Sequence, residues 1–526
     1  MRKNRKSIEA VFYSRPLDDY NNTYSDLNFL SIFFLTKLFC YYNNTKQLEL
    51  LKSLYPGNRV IHMGMARELA KQVIDFHFQD LPQDVIHQTK RVFLDTLGCA
   101  IGGYSSDASY AVQEVIKDLN HPGEATVFGS GFKTSCFNAA FANGAMVRYL
   151  DYNDTAFILQ GEVYRTGYHP SEVIPPILAL GERHHLPGKD VITAIVLGYN
   201  LSLSFLEGVT GPGMEKRGWN GDTRGAYIMP LIAGKMLGLN EAQMENALGI
   251  SGSCHAILGI LDTPAEEYTM TKNIRFPTMA YAGIWAALLA QKGFTGPTTI
   301  LEGHDGFVQV IMNGEYDLSK LTNLKGKFAI RDTCIKSIIA DFSSHGHLTA
   351  TLTLVREHDI KPEDIVEIRI TTSKRCAEHT GDPVKKYPKN KETADHSSYY
   401  LTAIAIIDRQ IGPEQFTPEK FQNPKVRELI DKVVLKGDPD LDKARPAGIS
   451  EIVSKQGKKY QCRVDYPRGH ARNPMTDEEI VGKFKSMASK YMSDKQTNQI
   501  IDTVFELDKL GDIGKLNRLM VFIRNK

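Results

Sequence analysis

Apolar residues recur at helical spacing over much of the chain. Near the start of this pattern Leu69, Val73 and Phe76 lie three or four positions apart, as on one face of a helix. Helical segments punctuated by glycines continue to about residue 325, and no alternation longer than a few residues interrupts them. The pattern predicts a large all-α domain over residues 63–329.

The period changes beyond residue 329. Val366, Ile368 and Ile370 alternate with charged residues, and two alternating segments flank a turn at Gln456-Gly457, which is typical of a strand and a hairpin. We therefore expect a smaller α+β lid domain over residues 330–468.

Helical spacing returns near the C-terminus. Thr476 and Glu479 have the spacing of a capping box and precede an apolar helical stripe. Residues 469–526 are therefore expected to return to the helical domain. The predicted fold class is mainly α, with the lid domain inserted before the C-terminal helices.

Residues 1–62 differ in composition from the rest of the chain. They are basic at the start, then rich in Asn and Tyr, and they show neither a secretory cleavage site nor the acid-poor pattern of a transit peptide. We interpret them as a poorly ordered extension that carries no function, and an ordered functional arm is the alternative.

Composition narrows the possible partners and compartment. The chain contains 63 Lys and Arg residues and 61 Asp and Glu residues. It therefore has no overall positive field that would attract nucleic acid or an anionic membrane. Its seven cysteines lie at least 37 residues apart, which excludes CxxC-type metal sites and is typical of a reducing compartment. We expect a cytoplasmic protein that binds neither nucleic acid nor membrane.

Several common chemical motifs are incomplete. Gly211-Pro212-Gly213 is followed by Lys216 where a dinucleotide loop needs Gly, and Ser251 lacks the final Gly of a nucleophile elbow. His345-Gly346-His347 would share a face on a strand and could hold a metal, but no third ligand accompanies it at a recognised spacing. We therefore predict no metal, and an anion-binding or structural role for His345.

The remaining candidates are polar clusters suited to a polycarboxylate. Asp151 and Thr155 lie in one short segment, and His169 follows after a loop, which is the chemistry of an acid/base couple. Lys272 and Arg275 lie three positions apart on one predicted helical face. Each cluster alone also fits a plain structural reading, namely a helix cap, a loop histidine or a solvated helix end.

Two further segments add a cation and a phenol. Lys336 precedes an apolar stretch at the start of the predicted lid, and Tyr400 follows an acid and an imidazole in the segment from Asp395 to Tyr400. Taken singly, neither segment indicates a site.

In this order, the clusters resemble the MmgE/PrpD family. The strings that carry the resemblance are Leu150-Asp-Tyr-Asn-Asp-Thr155 and Tyr466-Pro-Arg-Gly-His-Ala-Arg472, and the match runs from about Met65 to the C-terminus. Within the family they are most similar to the 2-methylcitrate dehydratases. The resemblance implies a homodimer and a cofactor-free site between a helical domain and a lid.

The resemblance also implies roles for individual residues. It places Asp151, Thr155 and His169 at the reacting centre with Tyr400 contributed by the lid, and the substrate carboxylates on lysines. The predicted binding residues are Lys272, Arg275, Lys336 and His345.

Three functions follow from these observations. The first is cofactor-independent dehydration of 2-methylcitrate or a related hydroxy-tricarboxylate to 2-methyl-cis-aconitate, as in propionate catabolism. The second is decarboxylation of the cis-aconitate type, or isomerisation, on the same scaffold; it is disfavoured because Asn220 follows Trp219 where family decarboxylases tend to carry His. Asp222 is then a candidate acid. The third is a polycarboxylate-binding protein without activity.

Overall fold

The computed structural model describes residues 64–160, 163–166 and 168–522, so the predicted N-terminal extension lies outside the described residues. The α-helices are α1 Met65–Ile74, α2 Gln83–Gly103, α3 Asp107–Asp118, α4 Cys136–Tyr149, α5 Ile174–Arg183, α6 Gly188–Glu207, α7 Gly225–Met236, α8 Glu241–Cys254, α9 Arg275–Gln291, α10 His345–Glu357, α11 Lys374–Thr380, α12 Lys391–Ala394, α13 Ser398–Asp408, α14 Pro418–Gln422, α15 Pro424–Asp431, α16 Asp477–Ala488, α17 Asp494–Phe505 and α18 Gly514–Leu519.

The strands form three small sheets. They are β1 Ala125–Thr126, β2 Lys133–Thr134, β3 Phe157–Gln160, β4 Val163–Thr166, β5 Ile365–Ser373, β6 Val433–Asp438, β7 Gly448–Ser454 and β8 Lys459–Val464. The first four make two antiparallel pairs, and the others make one sheet in the order β6-β5-β7-β8. Only the β5/β6 pairing in that sheet is parallel. The mainly α class is confirmed.

The larger hydrophobic core joins helices from both ends of the described chain. Helix α16 packs against α2, and the approach is close because a Cβ at Gly98 would lie 3.3 Å from the Phe484 ring. The predicted capping box starts α16: the amide of Thr476 donates to Glu479, 2.7 Å away, and the amide of Glu479 donates to the Thr476 hydroxyl, 3.3 Å away.

Helix α6 is long and apolar enough to span a membrane, but 83% of its most apolar window is buried in this core.

A second core lies between the four-stranded sheet and helices α10 and α13. Its apolar side chains come from the sheet and from the helices that cover it, including Leu348, Ile368, Ile404 and Ile452. Leu150 and Tyr152 also belong to this core, although they follow α4 of the larger one. The segment that begins at Leu150 therefore lies where the two cores meet.

The structure corrects three details of the sequence prediction. The part predicted as all α contains the short pairs β1/β2 and β3/β4. Val366 is 54% exposed whereas Ile368 and Ile370 are buried, because β5 and β7 shift register between Ile365 and Glu367.

The third correction concerns the two histidines that were expected on a strand. His345 and His347 lie in the first turn of helix α10. Positions two apart on a helix point in different directions, so they do not form the shared face that a metal pair would need.

Candidate active site

The loop after α4 places Asp151 at the junction of the two cores. Asp151 adopts a left-handed backbone conformation with φ of 51°, which Asp tolerates better than most residues, and its side chain is 1% exposed. The neighbouring Asp154 accepts hydrogen bonds from Tyr199 at 2.6 Å and Thr333 at 2.8 Å. Asp154 therefore fixes the loop, and Asp151 is the carboxylate placed among charged groups.

Buried cations surround Asp151. Arg148 forms an ion pair with its Oδ1, and Lys336 Nζ lies 3.3 Å from the same oxygen and 2.8 Å from the backbone oxygen of Asp151. Burial raises the pKa of Asp151, but the charges of Lys272, Lys336 and Arg148 outweigh burial and hold this pKa well below its usual range. Asp151 is therefore an ionised carboxylate.

A second buried ion cluster brings the two cores together through Lys272. Its Nζ lies 2.8 and 2.9 Å from the two oxygens of Asp395, which also accepts from Lys391 at 2.7 Å. His396 lies between the clusters, with Nδ1 3.3 Å from Lys272 Nζ and Nε2 3.8 Å from Asp151 Oδ2. Burial lowers the pKa of Lys272 to about 8. Lys272 is thus a cation that can lose its proton in a moderately alkaline solution.

His169 is held as a neutral imidazole with one nitrogen available. Its Nδ1 lies 2.6 Å from the backbone oxygen of Asp154, which can only accept, so Nδ1 carries the proton. Burial and the charges of Arg148 and Lys336 keep the pKa of His169 well below its usual value. Its Nε2 therefore has a free lone pair, 3.7 Å from Asp151 Oδ1. This is the form that can accept a proton.

Thr155 supports this histidine. Its hydroxyl donates to the backbone oxygen of Tyr168 at 3.0 Å, next to His169, and its backbone pairs with Cys334. In this structure the Thr155 hydroxyl holds the loop of His169.

A small cavity lies beside His169. It is lined by Tyr168, His169, Pro170, Glu172, Ser202, Gly221, Asp222, Arg224, Gly225, Ile228 and Phe276. Position 221 requires glycine, because a Cβ there would lie 1.8 Å from the Tyr168 ring.

Arg275 is linked to this cavity through Asp222, which lines it. Its Nε lies 3.0 Å from Asp222, and its Nη1 lies 3.2 Å from Asp262. Asp222 is therefore at the site, as an ion pair with Arg275.

No sequence motif marks Glu172 as a residue of the site. It follows His169 by three positions, is 2% exposed, and both of its carboxyl oxygens lack a hydrogen-bond partner among the described residues. Burial and the charge of Asp222 raise the pKa of Glu172 well above its usual value. The only sequence signal was its position next to the Tyr168-His169-Pro170-Ser171 string.

Two predicted residues have other surroundings. The Tyr400 hydroxyl donates to the backbone oxygen of Gln415, and its ring packs 5.3 Å from that of Phe421 in the second core. The His345 ring lies 4.6 Å from that of Phe342, and burial lowers the pKa of His345 to about 3. The structure thus brings together Asp151, Thr155, His169, Lys272, Arg275 and Lys336, and it directs the Tyr400 hydroxyl elsewhere.

Among the described residues, two groups of side chains bring possible metal ligands close together. Ligand atoms of Asp151, Asp395 and His396 lie within 4.8 Å of one another, as do those of Asp341, His379 and His396. The first group is in contact with buried lysines, whose charge opposes a divalent cation. The absence of a metal from the reaction stays a prediction.

Comparison with known proteins matches both parts of the chain to one family. The profile of the MmgE/PrpD N-terminal domain matches residues 67–319, and that of the MmgE/PrpD C-terminal domain matches residues 340–507. Cis-aconitate decarboxylase of Mus musculus is 28% identical over 84% of this chain and 90% of its own length. Cis-aconitate decarboxylase of Aspergillus terreus is 26% identical over 87% and 96%. 2-Methylcitrate dehydratase of Salmonella typhimurium is 23% identical over 79% and 89%.

Proposed function

Because this chain belongs to the MmgE/PrpD family, we propose that it is a lyase that removes CO2 from a tricarboxylate of the cis-aconitate type. The two decarboxylases compared above are more similar to it than the dehydratase is. This preference reverses the order expected from the sequence, in which dehydration came first.

The observation that carries the proposal is the gathering of buried cations around Asp151. Lys272, Lys336 and Arg148 are each at most 2% exposed. A buried cation is costly unless it meets an anion, and here Asp151 and Asp395 are the internal anions. A substrate with several carboxylates could share or replace these contacts.

The same cations suit the chemistry of decarboxylation. When the bond to the departing carboxylate breaks, its electron pair stays on the carbon chain and spreads towards a neighbouring carboxylate. Fixed ammonium groups stabilise this developing charge more than they stabilise the ground state. The low pKa of Asp151 makes it a poor proton donor. Its role would instead be to keep Lys336 and Arg148 in place.

Dehydration of a hydroxy-tricarboxylate is the second candidate, and His169 favours it. Dehydration begins with removal of a proton next to a carboxylate, and His169 Nε2 is a free acceptor at the site. Asn220 also stands where the family's decarboxylases tend to carry His. His169→Gln should therefore slow dehydration by about 10²-fold and decarboxylation much less.

The test is product analysis with purified protein. We expect consumption of cis-aconitate with release of CO2, followed by carbon-13 NMR, and no comparable turnover of 2-methylcitrate. Conversion of 2-methylcitrate into an unsaturated acid without CO2 would favour the second candidate. Saturable binding of both acids without turnover would leave only a binding function.

We further propose that the enzyme is a cytoplasmic homodimer and that it needs no cofactor. Activity should survive dialysis against a chelator, and light scattering should give twice the mass of the chain. Activity lost to the chelator and restored by zinc or iron would reject cofactor independence.

A further inference from the structure

Glu172 is a buried acid whose hydrogen-bonding capacity is unused. It lies in the single turn Pro170–Val173 directly after His169, and its side chain lines the cavity that His169 also lines. Neither carboxyl oxygen has a hydrogen-bond partner among the described residues. Among the described residues its ion-pair contact is Arg148, with Nε 3.6 Å from Oε1.

The chain offers a matched comparison in Glu182, which is also buried. Glu182 accepts from Thr126 at 2.7 Å and from Asn517 at 2.8 Å, and Lys133 lies 2.8 Å away. Its pKa is lowered, although burial raises it, because these partners stabilise the charge. A buried glutamate with a structural role is thus fully partnered in this fold, and Glu172 is not.

Burial and the charged groups on the surrounding elements set the pKa of Glu172. Arg148 comes from α4, Asp222 from the turn before α7, and Arg275 from the start of α9, while Asp154 adds a more distant negative charge. Burial and Asp222 raise the pKa of Glu172, and the two arginines do not offset them. The raised pKa favours the protonated form of this side chain, which faces a cavity.

We propose that Glu172 is the proton donor of the reaction. This inference rests on the proposed function, because loss of CO2 leaves an electron pair that must be protonated. The carbon–carboxylate bond breaks, CO2 departs, and the pair remaining on the carbon chain forms a C–H bond with the Glu172 proton. Glu172 is left as a carboxylate and regains a proton from solvent water, so each turnover consumes one solvent proton.

Glu172→Gln keeps the shape of the side chain and removes the acid. We expect it to lower kcat by about 10²-fold or more and to change KM little, since the carboxylates of the substrate are held by the lysines. Glu172→Asp should restore part of the rate. Glu182→Gln is the matched control, and it should lower stability without lowering kcat. A wild-type kcat in Glu172→Gln would overturn the proposal.

Asp222→Asn provides an independent test through pH. Because Asp222 raises the pKa of Glu172, its replacement should move the alkaline limb of the kcat profile towards lower pH. An unmoved limb in Asp222→Asn would argue against Glu172 as the donor.

Infrared spectroscopy separates failure of this inference from failure of the proposed function. The wild-type protein at neutral pH should show the C=O stretch of a neutral carboxylic acid, which is lost in Glu172→Gln and kept in Glu182→Gln. The band can be measured without substrate. If it is present in a protein that does not release CO2, only the proposed decarboxylation is rejected. If it is absent from the wild type, Glu172 carries no proton at neutral pH and is rejected as the proton donor.

Discussion

Arg148 lies between two buried carboxyl groups whose pKa values are shifted in opposite directions. On one side Asp151 contacts Arg148 and Lys336 and approaches two histidines, and its pKa is held well below the usual range. On the other side, the ion-pair contact of Glu172 among the described residues is the longer one to Arg148, at 3.6 Å. Burial and the charge of Asp222 raise the pKa of Glu172.

The difference shows that burial alone does not decide the charge of an acid. Both side chains are at most 2% exposed, so desolvation disfavours the charged form of each. Asp151 is ionised because several cations meet it, whereas burial and the neighbouring Asp222 together favour the protonated form of Glu172. One region of the site can therefore hold anions while the adjacent region supplies a proton.

The largest expected effect is that of Asp151→Asn. Removing this charge leaves buried Lys336 and Arg148 without their anion, so we expect a loss of about 3–5 kcal/mol in the free energy of unfolding. Turnover should fall by about 10²-fold or more, because the cations lose their positions. Urea unfolding and initial rates measure both quantities.

The control for Asp151→Asn is Asp359→Asn, which breaks ion pairs with Lys361 and Arg409 at an Asp that is 63% exposed. It should leave the free energy of unfolding nearly unchanged, because exposed ion pairs contribute little. Since the pKa of Asp151 is lower in the folded state, its contribution exists above about pH 4 and is lost as the pH falls further. Equal stability of the two variants at neutral pH would contradict this description of the Asp151 side.

Lys272→Met should chiefly weaken substrate binding. A charge-assisted contact is worth about 1.5–3 kcal/mol, so KM should rise by roughly 10-fold to 100-fold. Lys235→Met is the control, because Lys235 is a partly buried lysine that donates to the backbone oxygen of Ile74 away from the site. A KM equal to that of the control would remove Lys272 from the binding site.

The pH dependence of KM sharpens the assignment of Lys272. The pKa of Lys272 is lowered to about 8, so the cation that binds a carboxylate disappears above that pH. We expect KM to rise above pH 8 in the wild type. Lys272→Arg should abolish the rise, because arginine stays charged. An identical rise in Lys272→Arg would point to another group.

The smallest effect is expected for Tyr400→Phe. Its hydroxyl donates to Gln415 in the second core, so the variant should lose about 1 kcal/mol of stability and keep its kcat. Thermal unfolding and initial rates test this. A large loss of kcat would restore the role that the family resemblance implied for Tyr400.

Local signals in the sequence predicted local structure well. The spacing of Thr476 and Glu479 gave the start of α16, because a capping box depends on side chains within one turn. The exposure of Val366 could not be predicted, since it follows from pairing with a strand about 85 residues away along the chain.

The roles of the site residues could be predicted only from the resemblance of the sequence motifs to those of a known family. This resemblance gave roles to Asp151, His169, Lys272 and Lys336. No periodicity could have shown that positions 151 and 336 lie close together. Glu172 was overlooked because its state depends on burial and on Asp222, two properties of the folded chain.

The stoichiometry of the wild-type reaction with cis-aconitate in deuterated water tests the proposed decarboxylation. We predict one molecule of CO2 and one solvent deuteron in the organic product for each molecule of cis-aconitate consumed. Formation of a hydroxy acid without CO2, or no consumption at all under conditions where the protein is folded, would contradict it.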